Sequence, residues 1–357
     1  MQKTPVLFNK TLVIGILVLF IGMSVNPSTG TIVEKISIKP ISDGNTLYVG
    51  GTGEGNYSSI QDAIDNASDG DTVFVYDDSA PCNENILINK SINLIGEERD
   101  TTIIDGGIGN SVVNITASWV NFSVFKLTNN GVNWWEHFGI LISSPYTSVF
   151  NNIISLKEGI GVQLFSDCNT ISNNIISNHY YGIFLFECSY NTVSYNSIFD
   201  NHIGIKFKRS DNNTFFQNVV TYNSAYGIDL NSWSHYNTIY GNIIRSNDMD
   251  GLHVNLCNYN TFYGNSIEYN YKGLMLRSSY YNSIKNNNFK GNLLHARFDE
   301  CLLNIWDGNY WGRSRIIPKF IFGVLCIIPS DLYFPGIYIT WVNIDWHPAK
   351  EPYKIGV

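Results

Sequence analysis

Charge is scarce in this chain. Only 15% of its residues are Asp, Glu, Lys or Arg, while 44% are hydrophobic. Acidic residues outnumber basic ones, 30 to 22, and no basic stripe occurs, which argues against a duplex nucleic-acid partner. Long apolar runs are also missing. Leu12–Met23 spans twelve residues, short of the roughly 20 that a membrane-crossing helix needs. The run Ile316–Ile328 is broken by Pro318 and Lys319, so no integral span is expected in the mature chain. No stretch of ten residues carries a 3.6-residue apolar period, which disfavours helical units. The six cysteines form no CxxC pair, and there is no phosphate-binding glycine loop and no G-x-S-x-G elbow. Thiol redox and nucleotide chemistry are thereby disfavoured.

What fills the polar remainder is Asn, Ser, Thr, Tyr and Gly, residues of strands and turns rather than helices. They are ordered by a repeat. A Gly-apolar-x-apolar motif begins at Gly139, Gly161, Gly182, Gly204, Gly227, Gly251 and Gly273, in steps of 21 to 24 residues. Asn-Thr/Ser-apolar starts at Asn169, Asn191, Asn213, Asn237, Asn260 and Asn282, and Asn-x-apolar at Asn174, Asn196, Asn218, Asn242, Asn265 and Asn287. A fixed period of this length means a solenoid whose units bury their apolar faces on one another. The leucine-rich pattern is absent, and apolar residues alternate over short runs. The expected fold is therefore all-β: a right-handed, single-stranded parallel β-helix of coils about 22 residues long.

Four apolar columns should line its interior, led by Ile140, Ile142, Ile171 and Ile176. The Asn columns should serve turns and ladders, because Asn tolerates left-handed backbone and its amide can bond from coil to coil. Ser166, Cys188, Ser210, Ser234, Cys257, Ser279 and Cys301 share a column of small residues. Cys188 and Cys257 lie three coils apart, roughly 14 Å at the strand spacing, too far for a disulfide. No pairing can be assigned to Cys82, Cys168 or Cys326.

Residues 1–30 read as a signal peptide, with Lys3 and Lys10 before the apolar run and small polar residues after it. An uncleaved anchor is the alternative. A linker follows over 31–44, the β-helix over 45–306, and a C-terminal cap over 307–357. Ser58–Ala67 reads as a short capping helix with Ile60, Ala63 and Ile64 on one face. Trp306, Tyr310, Trp311 and Trp346 would plug the far end. Sequons at Asn56, Asn66, Asn89, Asn114, Asn121 and Asn212 fit an exported, glycosylated chain at the cell surface or beyond it, though an Asn-rich sequence makes them by chance.

Tyr57-Ser-Ser-Ile-Gln-Asp-Ala-Ile, Gly70-Asp-Thr-Val-Phe-Val, the repeat, and the endings NYWG and DWHPAKEP together resemble the NosD-like right-handed β-helix family, within the wider pectate-lyase-like fold. Similar chains occur among archaeal cell-surface proteins. The resemblance implies either carbohydrate binding and sugar hydrolysis or copper delivery. Neither follows from the repeat itself.

Chemistry would sit on the outward positions of the Gly-apolar-x-apolar strands. Lys206, Lys208, Asp229, Asn231, His253, Asn255 and Arg277 should form one polar patch over four coils. As catalytic candidates we take Asp229, His253, Arg277 and Lys206; as glycan-binding candidates Lys208, Asn231, Asn255, Phe184 and Phe186. Acidic-sugar lyases of this fold resemble that arrangement, with a base beside Asp and Arg. A solvated sheet face is the plain alternative. Asp229 with Asp248 or Asp250 is the nearest pair for glycoside hydrolysis. Phe165, Phe184 and Phe186 would stack on sugars or lie under a loop at Trp134-Trp135-Glu136-His137. For metal, His179 and His202 follow equivalent Asn residues one coil apart, Asp248 falls in the same column two coils on, and a divalent cation is the one cofactor left open. The sequence thus favours a secreted or surface-attached, carbohydrate-associated protein. A polysaccharide lyase or glycosidase acting on an acidic glycan, and a NosD-like metal-handling protein, are the alternatives.

Overall fold

The computed structural model describes residues 44–107, 110–128, 137–328 and 337–355. The expected signal peptide and all of the linker but Gly44 lie outside them. The chain winds as a right-handed parallel β-solenoid of about 12 coils. Three short strands per coil stack into three sheets, of twelve, nine and twelve strands among the described residues. Register follows the repeat: Val149, Ile171, Val193, Phe215, Ile239, Phe262, Ile284 and Trp306 are successive partners in the first sheet. All but Trp306 are fully buried, as are the columns led by Ile140, Ile142 and Ile154. Burying each such side chain contributes on the order of 1.5–3 kcal/mol.

The repeat glycines have a steric reason. A Cβ on Gly161, Gly182 or Gly204 would lie 2.5–2.6 Å from the carbonyl oxygen of the equivalent glycine one coil on. The backbones meet too closely there for any side chain.

Three asparagine ladders run up the turns. In one, which ends at Asn309, Asn152, Asn174, Asn196, Asn218, Asn242, Asn265 and Asn287 each offer Nδ2 and the backbone N–H to the carboxamide one coil on. A second runs from Asn169 to Asn304, and a third from Asn201 to Asn292. The expectation that these Asn residues adopt left-handed backbone is corrected. The positive φ belongs to the residue just before each: Asn173, Tyr195, Gln217 and Gly241 precede Asn174, Asn196, Asn218 and Asn242. That kink turns the next side chain inward, where its amide closes the buried backbone donors and acceptors of the turn.

The small-residue column is likewise a ladder, in which the N–H of Cys188, Ser210, Ser234, Cys257 and Ser279 meets the side chain one coil on. All six cysteines are free.

Both ends are covered. The helix Ile60–Asn66 buries Ile60, Ala63 and Ile64. Ser59 caps it, and the Glu84 carboxylate accepts from Ser59 Oγ and the N–H groups of Ile60 and Gln61, each at 2.9 Å. At the other end Trp311 is buried, stacked on Phe289 at 4.7 Å. The buried Asp345 carboxylate ends the first Asn ladder, accepting from Asn309 N, Asn309 Nδ2 and Trp311 Nε1. Trp346 is not part of this plug, being 61% exposed. The cap also contains an antiparallel pair, Lys319–Ile328 with Ile337–Asp345, which the sequence reading did not foresee. No helix among the described residues is long and apolar enough to cross a membrane.

Candidate functional site

The third sheet presents the outward columns. Register sets Lys206 beside Asp229, Asp229 beside His253, Lys208 beside Asn231, Asn231 beside Asn255 and Asn255 beside Arg277. The polar patch is therefore contiguous.

At its centre the Asp229 carboxylate, with a side chain only 2% exposed, is held from two sides. Lys206 Nζ forms an ion pair with Oδ2, and His253 Nδ1 lies 2.9 Å from Oδ1. Since a carboxylate can only accept, Nδ1 carries the proton that it shares with Asp229, and Nε2 is the nitrogen left to exchange one. The Tyr226 ring lies against the imidazole, centroids 4.5 Å apart and planes within 8°. Burial first, then Asp250 and Asp229, pushes the Tyr226 hydroxyl up, with Arg277 opposing. Burial first, then Tyr180 and Asp229, pushes Tyr181 up to about 12. Both phenols are thus proton donors at neutral pH. The cluster, whose Lys206–Asp229–His253 row spans three coils, holds a base, an acid and a neutralised carboxylate, the components of proton transfer.

Arg277 stands at the exposed edge of the patch and forms no ion pair among the described residues. Asn255 Nδ2 donates to Asn231 Oδ1 at 3.2 Å. Beside the cluster opens a cavity of about 600 Å³, walled by Phe165, Phe184, Phe186 and Tyr181 and reached by Lys206 and Lys208. Phe165 and Phe184 meet Phe186 edge-on at 5.8 and 5.9 Å, and Lys208 Nζ lies 5.3 Å from the Phe186 ring centre. Of the loop proposed to cover these rings, Trp134, Trp135 and Glu136 lie outside the described residues; His137 is buried.

Sequence alternation missed Tyr181, Tyr226, Asp250 and Lys272. Simple parity points the residue before each repeat glycine inward. Strand pairing skips the glycine, however, passing from Tyr181↔Ile203 to Ile183↔Ile205, and the glycine takes the inward place. The preceding residue then faces out. The signal was present as Tyr, Tyr and Asp before Gly182, Gly227 and Gly251. Asp250 pairs with Lys272 at 3.1 Å, and Asp248 is exposed on the preceding turn.

The structure does not bring His179 and His202 together. Pairing of Ser177 with Phe199 makes His179 equivalent to Asn201, so the two histidines are one residue out of register and face opposite ways. His179 lies inside the third Asn ladder, its N–H on Asn201 Oδ1 and its Nε2 3.1 Å from Ile154 O. Burial lowers its pKa to about 4. His202 Nδ1 lies 3.1 Å from Ser224 Oγ, the residue between it and Asp248 in the column. Among the described residues no three of His, Cys, Asp and Glu come together so as to hold a metal ion. The donors among the described residues do not fit a copper centre.

The family model of NosD, described as periplasmic copper-binding protein, matches residues 64–249 and 151–315, well over half of the chain. Among solved structures, the Dettilon tailspike protein is similar at 14% identity with a TM-score of 0.62, over 74% of this chain and 62% of its own. The chain thus spans about three fifths of the tailspike's length. The A-modules of the Azotobacter vinelandii mannuronan C-5 epimerases AlgE4 and AlgE6 are similar at 16% and 15% identity, with TM-scores of 0.53 and 0.51. Each covers 70% of this chain, and 82% and 88% of the respective modules are covered. At these identities the likeness is one of fold. No curated protein sequence matches the chain.

Proposed function

For a chain that belongs to the NosD family, we propose that this protein is exported and binds a polysaccharide across the outer face of its third sheet. The observation that carries this reading is the aromatic-walled cavity of about 600 Å³ whose lining includes Lys206, the cation paired with Asp229. Ring faces of Phe and Tyr match the apolar faces of sugars. Lys206 and Lys208 line the same cavity and Arg277 lies further along the same outward column, cations that favour an acidic glycan. Mannuronan, the polymer named for two of the similar structures, has that character; the glycan class here rests on the site, since the likeness is of fold alone.

A second reading, turnover of the same glycan by a lyase or hydrolase, is favoured by one further observation. Asp229 is held between Lys206 and His253 while Tyr226 lies flat on the imidazole. In that arrangement the step is an elimination: His253 Nε2 takes the proton beside the sugar's carboxylate, a C=C bond forms as the glycosidic C–O bond breaks, and a phenol protonates the departing oxygen, with Arg277 holding the acid group.

The test incubates the purified protein with neutral and acidic polysaccharides, with and without calcium. Retention on the polymer, new reducing ends and unsaturated products are followed together. Phe184→Ala with Phe186→Ala should weaken retention about tenfold or more, as expected when sugar-stacking rings are removed. Turnover that disappears in Asp229→Ala and His253→Ala adds the catalytic reading. Retention without turnover leaves a binding protein. Failure to retain any polymer of a broad panel overturns both.

A further inference from the structure

A second cavity, of about 440 Å³, opens at the C-terminal end of the same sheet, between the strand Leu294–Asp299 and the chain that follows Trp311. It lies outside the cluster described above. Asp229, His253, Met275 and Arg297 are successive register partners, so three coils, roughly 14 Å, separate the two places.

Its wall carries Arg313, Arg315, Lys319 and His295, and no carboxylate among the described residues lines it. None of these three cations forms an ion pair among the described residues. That is unusual in a chain of net charge −8, where an acidic neighbour would be the easy partner. The nearest acid in register with Lys319 is Asp345, whose carboxylate is already engaged by Asn309 and Trp311. Arg315 Nε is buried with no hydrogen-bond partner. Lys319 Nζ lies 5.8 Å from the ring centre of Trp311, which is locked by Phe289 and Asp345. Gly312, at φ +74°, keeps the wall open, since a Cβ there would come within 3.0 Å of His295 Nε2.

Three cations facing one opening repel one another. Burial first, then Arg315 and Arg313, lowers the Lys319 pKa; burial first, then Arg313, lowers that of Arg315. Burial first, then Lys319 and Arg315, lowers His295. An anion between them would remove that repulsion and supply the acceptor that Arg315 Nε lacks. One guanidinium suffices for a carboxylate, whereas several cations converging on a single point match a compact dianion.

We propose that the Arg313–Arg315–Lys319 cavity is an anion site taking a tetrahedral oxyanion, phosphate or sulfate, either free or as an ester on a sugar. The proposal does not depend on glycan binding at the Asp229 cluster.

Calorimetric titration of the purified protein with inorganic phosphate, and separately with inorganic sulfate, tests it, with chloride holding ionic strength constant. Glucose 6-phosphate forms a second arm. One equivalent should bind saturably, with Kd below about 1 mM. Arg315→Gln combined with Lys319→Gln should weaken binding about tenfold or more, since charge-assisted bonds are lost. Arg315→Lys should retain most of it, and Arg245→Gln, exposed on another sheet, should leave it unchanged. The thermal midpoint without phosphate reports whether each variant is folded. Tighter binding of the ester than of inorganic phosphate supports a ligand carried on a sugar, and the reverse order supports a free anion. Absence of saturable binding in every arm, or undiminished binding in the folded double variant, overturns the proposal.

Discussion

His179 stands where five further coils place Asn201, Asn223, Asn247, Asn270 and Asn292. It reproduces two of their hydrogen bonds, its N–H on the next carboxamide and its Nε2 on Ile154 O as Asn201 Nδ2 is on Ile176 O. An imidazole, however, can be charged. Its folded pKa is lowered by burial to about 4, below the ordinary value of 6.5. Between those values the unfolded chain binds a proton that the folded chain refuses. Stability is therefore complete above pH 6.5 and declines as the pH falls toward 4, by about 3 kcal/mol in all. His179→Asn should fold into the same ladder and remove that part of the acid loss. Urea midpoints of both proteins at pH 7.5 and 4.5 check this; an equal decline in the two would refute it. At this scale the Asn columns were readable, because a buried ladder demands the same side chain in every coil. Which neighbour takes the strained backbone was not. The positive φ falls on Tyr195, Tyr222, Tyr236, Tyr259, Tyr269 and Tyr281 as well as on Asn, residues that sequence rules do not mark for it.

The elements at either end show how a carboxylate completes a solenoid. Glu84 closes the N-terminus of the helix Ile60–Asn66 from a neighbouring segment, and Asp345 closes the last Asn ladder. Asp345→Ala would leave Asn309 N, Asn309 Nδ2 and Trp311 Nε1 without an acceptor. Each orphaned donor costs about 1–3 kcal/mol. Because coils contact only their neighbours, the damage should stay local. Hydrogen exchange should quicken at Asn309 and Trp311 while amides around Asn191 keep their protection; uniform loss along the chain would contradict that picture. The capping helix was legible from Ile60, Ala63 and Ile64 at helical spacing. The strand Lys319–Ile328 was not, since Pro318 and Lys319 read as interruptions. In the structure they mark its start, and Phe320 and Phe322 face out while Ile321 faces in.

Across the whole molecule, stacked coils rather than covalent links hold the fold. Cys188, Cys257 and Cys301 are buried rungs whose thiols are pushed up to about 12, chiefly by burial. Reductant should leave the thermal midpoint unchanged. A thiol-alkylating reagent at pH 8 should modify the partly exposed Cys168 and Cys326 and spare those three until denaturant is added. Mass spectrometry of peptides from native and unfolded protein tests this, and early modification of Cys257 would count against a tightly packed interior.

The sequence alone determined the solenoid, its period, its apolar columns and the row Lys206, Asp229, His253, because each coil repeats one local pattern and parallel pairing sets equivalent residues side by side. It also carried the reason Cys188 and Cys257 do not pair with each other, which is coil spacing. Tertiary structure decided what a period cannot encode. The close approach of backbones at the repeat glycines turns Tyr226 and Tyr181 outward onto the site. A one-residue offset at the preceding turn separates His179 from His202. And the fold of the cap against the last coil gathers Arg313, Arg315 and Lys319, which no repeat relates, around a single opening.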